Sequence, residues 1–296
     1  MCGAELRPLL AVKAVVDMPF HSFDGISGAN MLRVDSRWID PFIGVDSYTL
    51  RSNPFGPHPH AGMSAVSLTL PESEAGTINR DSMGDHSLIA PGDLHWFQAG
   101  RGAMHEETPA APGKTEQGLQ IFVNLSRVHK QADPVGLRVA HEDMPSVSFE
   151  GGSLRVVAGE FDGQASSIAQ DPRWLTRVNM LDVSLQAGAS VDIPVNAGDN
   201  AFFVIRSGIF KQVAGVDIAQ SAIIFEASDK TAGALGESIA RVTAGSQALR
   251  GVFFSGTPIN EPIFPSGPFM GNTAEDVIAY KRAFTRGEMG HLEASA

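Results

Sequence analysis

Five of the nine histidines, His58, His60, His86, His95 and His105, fall within the 48 residues from 58 to 105. Such crowding puts the chemistry in the first half of the chain. His58 and His60 are separated by one residue, and in an extended strand positions i and i+2 share a face, so both imidazoles can converge on one point. Pro57 and Pro59 stiffen the segment in the extended conformation this needs. Further on, GRGAMHEET supplies His105, Glu106 and Glu107. The same parity places Glu107, and not Glu106, on the face of His105. Three neutral imidazoles and one carboxylate suit a borderline divalent metal such as Fe(II), Mn, Ni, Cu or Zn, and iron is favoured for an open site with positions left for O₂ or substrate. Glu107 has a second role open to it, as a general base.

The remaining polar candidates have plainer readings. His86 and His95 are expected on the barrel surface or lining a pocket, and His129, in RVHK, in a solvated linker. Arg101 sits in a tight GRG turn, where glycines supply backbone geometry and the arginine a structural hydrogen bond. Asp81 in NRDS and Asp93 in PGD are turn formers. No phosphate-binding loop, dinucleotide fingerprint or G-x-S-x-G elbow occurs. The single Cys2 excludes an intramolecular disulfide framework and any cysteine-rich zinc site.

Short β-prone runs such as GVDSYTL, SAVSLTL and LQIFVNLS, punctuated by Gly, Pro and Asn, must position these residues. They predict an all-β sandwich or barrel. Helical periodicity emerges only over 275–287, where Val277, Ile278, Tyr280, Lys281 and Phe284 form an apolar-edged face. With 296 residues the chain has room for two domains, and a polar, turn-rich stretch over 126–153 places the division near residue 140. HPHAGMSAVSLTL (58–70) aligns with PVNAGDNAFFVIR (194–206), which sets His58 opposite Pro194 and His60 opposite Asn196. HSLIAPGD then falls opposite QSAIIFEASD. The halves read as two copies of one barrel, with histidines kept only in the first. A net charge of −11 disfavours nucleic acid and anionic membrane surfaces as partners. No export signal and no spanning run of about 18 apolar residues is present, so a cytoplasmic location is expected.

The blocks GPHPHAG, INRDSMG, LIAPGDLHWFQAGRGAMHEE, GLQIFVNLS and INEPIFPSGPFMGNTAEDVIAY resemble the pirin family of the cupin superfamily, in the family's order, from about residue 30 to 290. The resemblance implies a bicupin: two antiparallel, jelly-roll-like cupin barrels with a short C-terminal helix, residues 1–140 carrying the metal and 141–296 forming a barrel without a metal site. It implies one iron held by His58, His60, His105 and Glu107, the same four residues that strand parity selects. It also implies either a quercetin 2,3-dioxygenase-like enzyme acting on a flavonol-like small molecule, or an iron- or redox-sensing regulator that binds a transcription factor or metabolic enzyme. A monomer is expected. The sequence departs from the family's HPHRGFE block at Ala61, Met63 and Ser64, which alters charge at the edge of the site, and His95 stands where a glutamine is more usual.

Overall fold

The computed structural model describes residues 7–22, 27–52, 55–211, 217–227 and 236–294; Cys2 lies outside them. Strands dominate, built from runs whose alternate residues face opposite ways. Met63–Thr69 shows the pattern: Val66 and Leu68 turn to one side of the sheet, and Ala65 and Ser67 to the other. Both faces are buried along the whole run, so its hydroxyl residues Ser64, Ser67 and Thr69 are buried with its apolar ones.

Seven antiparallel strands form the larger sheet of the first half, in the order Val135–Val139, Leu94–Gln98, Met63–Thr69, Glu116–Asn124, Phe42–Leu50, Gly28–Met31, Phe20–Ser22. Facing it is a four-stranded sheet of His58–His60, Ala103–Pro109, Thr77–Asp81 and His86–Ile89. The second half carries a nine-stranded sheet whose central order is Ser221–Phe225, Asn200–Lys211, Glu237–Gly256, Val178–Leu185. Its edge strand, Val12–Asp17, comes from the N-terminal end of the chain and pairs with Ser221–Phe225. By sheet position, Ser221–Phe225 is the counterpart of Leu94–Gln98, since each pairs beside the strand that follows the Ala-Gly turn. The alignment of QSAIIFEASD with HSLIAPGD is therefore corrected to the next strand along. Apolar strands of similar length are interchangeable by pattern, and only the pairing separates them.

The large sheets of the two halves pack face to face. One continuous core contains Phe42, Val66, Trp96 and Ile121 from the first sheet with Met180, Phe202, Val252 and Phe254 from the second. Phe42 meets Phe202 and Phe254 edge-on at 5.2 and 5.3 Å, and Trp96 meets Trp174 edge-on at 5.5 Å. Such pairs add about 0.5–1.5 kcal/mol each beyond area burial. The opposite face of the second sheet, with Phe203, Ile205 and Phe253, fills the inside of its own barrel together with Val191, Ile193 and Val242.

A helix, Ala274–Thr285, closes the described fold. Thr273 and Asp276 cap it reciprocally, each side chain accepting from the other's backbone N–H. The buried face is Val277 and Tyr280, packed on Ala61 and Phe269. Ile278 (47% exposed), Phe284 (41% exposed) and Lys281 lie outside it, so the predicted face is too wide: the helix docks along a narrow i, i+3 line. No helix among the described residues is long and apolar enough to cross a membrane.

Candidate metal centre

His58–His60 is a three-residue strand that pairs with Ala103–Pro109 so that His58 lies opposite His105 and His60 opposite Ala103. That register brings the three imidazoles together. Their ring centroids are 4.9 Å (His58 to His60), 4.7 Å (His58 to His105) and 5.0 Å (His60 to His105) apart, and one nitrogen of each lies within 4.8 Å of the others. His58 Nδ1 donates to the Gly56 carbonyl at 2.9 Å, which leaves Nε2 as the ring's lone-pair atom. His60 Nδ1 and both nitrogens of His105 are buried with no hydrogen-bond partner. Phe97 stacks on the His105 ring at 4.5 Å and fixes its plane.

Burial first, then the neighbouring His58, holds the His60 imidazolium down to about 3, against an opposing backbone hydrogen bond at Pro268. Burial, with His60 and His58, pushes His105 well below the usual histidine value. Both rings are therefore neutral at physiological pH, the form that ligates a metal. Unpartnered buried nitrogens each cost about 1–3 kcal/mol. A divalent ion with bonds of about 2.0–2.1 Å to imidazole nitrogen satisfies these lone pairs, so the donor set fits a metal.

Glu107 lines the same cavity, as parity requires, while Glu106 turns to the opposite face of the strand, where it is buried against Arg80. The Glu107 carboxylate is held by Ser67, whose hydroxyl lies 2.9 Å from Oε1 and 2.8 Å from Oε2, and Oε1 stands 3.5 Å from His95 Nδ1. The close three-donor group consists of the histidines; Glu107 stands beside it on this second set of contacts. His95 is thus a buried neighbour of the site, whereas His86 is exposed and lines no part of the cavity. His129 opens a short 3₁₀ turn and is half-buried, because the next residue, Lys130, is drawn inside. Lys130 Nζ donates to Gly62 O and Asn124 Oδ1, both at 2.6 Å. Arg101 pairs with Asp133 at the surface. Asp81 and Asp93 accept backbone N–H bonds within their turns.

Ala61, Met63 and Ser64 are all buried, and none lines the cavity. Ala61 is enclosed by the C-terminal segment, where its carbonyl accepts from Met270 N at 2.9 Å. The expected charge change at the edge of the site is therefore a packing change beneath it. In the second barrel the equivalent pairing sets Pro194 opposite Ile239 and Asn196 opposite Glu237. The three histidine positions thus correspond to Pro194, Asn196 and Ile239.

The cavity has a volume of about 280 Å³, close to the lower end of small-ligand sites (~300–1,000 Å³). Apolar walls come from Leu50, Phe55 and Phe122. The far wall holds a polar group that sequence reading missed: Glu116 Oε1 accepts from Tyr48 at 2.8 Å and from Thr77 at 2.5 Å. Parity back from Phe122 through Gln120 would have turned Glu116 inward, but its partners are distant strands.

Two antiparallel barrels packed through their large sheets, one enclosing a histidine cluster and the other an apolar core, define a bicupin with a single candidate metal centre among the described residues. Two family profiles, pirin and the pirin C-terminal cupin domain, match residues 19–123 and 180–290, and the chain belongs to the pirin family. A pirin-like protein of Solanum lycopersicum is 31% identical over 96% of this chain and 94% of its own length. A Pseudomonas aeruginosa protein named as a candidate quercetin 2,3-dioxygenase is 31% identical over 84% of this chain and 86% of its own. Among solved structures, a quercetin 2,3-dioxygenase from Acinetobacter baumannii superposes with a TM-score of 0.81 at 22% identity, covering 96% of this chain and 100% of that one.

Proposed function

We propose that this protein is a mononuclear metal-dependent dioxygenase acting on a flavonol-like small molecule, with the metal held in the first barrel by His58, His60, His105 and Glu107. The observation that carries this reading is the opening of three imidazoles, half-buried His58 and buried His60 and His105, the latter two held neutral by burial, onto a largely apolar cavity of about 280 Å³. The all-nitrogen and carboxylate donor set favours Fe(II), with Mn, Ni, Cu or Zn as alternatives. When bound, the ion supplies Lewis acidity toward an enolic hydroxyl and a centre for O₂ chemistry.

The chain's own residues do the rest. Phe55, Leu50 and Phe122 supply the apolar lining against which a planar ring system would pack. In this reading Glu107, whose carboxylate accepts from Ser67, takes the proton of the substrate hydroxyl onto a carboxylate oxygen, which converts the hydroxyl into an electron-rich enolate. The name of the P. aeruginosa relative supports the flavonol class. A sensor that only binds another protein needs no such cavity, so the enzyme is the reading favoured here.

Oxygen uptake by Fe(II)-reconstituted protein with a flavonol panel tests it. Uptake that vanishes in the His58→Ala, His105→Ala protein is the expected result. No uptake with iron verified as bound overturns the assignment.

A further inference from the structure

Glu116 is 1% exposed on the cavity wall, on the strand Glu116–Asn124. Phe122, six positions along, lies 6.1 Å from the His60 ring. Glu116 and Phe122 share the inward face of the strand. Phe122 thus stands beside the imidazoles, and the Glu116 carboxyl is set back along the same wall, within electrostatic reach of Glu107. Tyr48 and Thr77 both donate to Oε1, and Oε2 is left buried without a partner. Nothing in the metal chemistry uses this group. A carboxyl this deep, with one oxygen doubly satisfied and the other without a hydrogen-bond partner, is a costly feature of a buried wall.

We propose that Glu116, braced by Tyr48 and Thr77, is a specificity-determining residue that donates a hydrogen bond from Oε2 to an uncharged oxygen on the end of the ligand remote from the histidines. The two donors on Oε1 hold the acid proton on Oε2, because Oε1 already accepts two O–H bonds and is the poorer site for it. Burial also favours the neutral acid over the carboxylate. The ligand class follows: an elongated, planar, mostly apolar molecule with a chelating hydroxy-keto group at one end and a phenol, ether or carbonyl oxygen at the other. A remote carboxylate or phosphate is selected against, since Glu107 and Asp46 also line the cavity.

This inference rests on the flavonol reading, and two probes separate the two. Quercetin and 3-hydroxyflavone share the chelating 3-hydroxy-4-keto group, and only quercetin carries remote ring hydroxyls. Their dissociation constants are measured on anaerobic, Fe(II)-loaded protein by tryptophan fluorescence, with iron content and circular dichroism confirming each variant as folded and loaded. Wild type should bind quercetin about ten-fold or more tighter than 3-hydroxyflavone, the scale of one buried hydrogen bond. Glu116→Leu should abolish that preference, read as the ratio of the two dissociation constants within the variant. Glu116→Gln, which retains an acceptor for Tyr48 and Thr77 and an N–H to donate, should keep it. Equal binding of the two flavonols by wild type, or a preference that survives in Glu116→Leu, overturns the role of Glu116. A glutamine variant as weak as the leucine one overturns donation. Binding of neither flavonol sinks the parent reading and this inference with it.

Discussion

At the scale of single residues, the cavity sets titrating groups against their solvent behaviour. Burial pushes the Glu116 carboxyl up to about 7; hydrogen bonds from Thr77 and Tyr48 oppose the shift and the Glu107 carboxylate adds to it. Tyr48, facing the same two carboxylates, is itself pushed well above its usual value by burial. The linkage sign follows. Between 4.5, where the unfolded chain releases this proton, and about 7, where the folded chain does, the native state binds more protons, so stability falls as pH rises. At about 1.36 kcal/mol per unit, the contribution is at most roughly 3 kcal/mol. Glu116→Gln removes it, so in urea denaturation the variant should gain on wild type progressively from pH 4.5 to 7 and by a constant amount above. A difference that does not change with pH would show that the carboxyl is ionised in the native protein. Sequence reading reached His58, His60 and His105 because a strand's two-residue period is local. Glu116 escaped it because its meaning lies in Tyr48, 68 residues away, and in Thr77, 39 residues away.

Elements behind the histidines matter as much as those that carry them. Gly62 has φ +77°, and a Cβ there would lie 2.0 Å from the Met270 carbonyl, on the strand Phe269–Gly271 that precedes the helix. The C-terminal segment therefore clamps the chain just beyond His60, through the Met270 N–H bond to the Ala61 carbonyl, while Lys130 holds the Gly62 carbonyl from the turn His129–Gln131. Gly62→Ala should destabilise by at least about 2 kcal/mol and weaken metal binding, as read by thermal melting and iron stoichiometry. Gly84→Ala is the control, with φ +102° and open space around its Cβ position: it carries backbone strain without collision and should leave iron binding intact. Equal effects from both would mean that the C-terminal clamp does not position the site. The helix was legible from its periodicity, but not its docking line, which Phe269 and Ala61 decide. The exchange of Val12–Asp17 into the second sheet was not legible at all, since its alternating pattern fits any edge strand.

The whole molecule is two barrels with one shared core. Phe42, Val66 and Trp96 on one side and Phe202, Val252 and Phe254 on the other belong to a single buried cluster, so neither large sheet keeps its outer face covered without its partner. The crossing of Val12–Asp17 into the second sheet ties the N-terminal end of the chain to the far barrel as well. Free energy delivered to the histidine cluster should then be felt by both halves. A metal that binds only the native state, at a free concentration of 100 times its Kd, adds about 2.7 kcal/mol. Calorimetry should show one transition that moves upward as a unit when Fe(II) is added, although the second barrel contributes none of the four proposed ligands. Phe42→Ala, which removes the ring that meets Phe202 and Phe254 at the sheet contact, should cost about 3–5 kcal/mol and split the transition, with only the earlier-chain barrel then responding to metal. Two transitions in the wild type, one of them indifferent to metal, would show instead that the barrels unfold independently and that the shared apolar face couples them too weakly to act as one core.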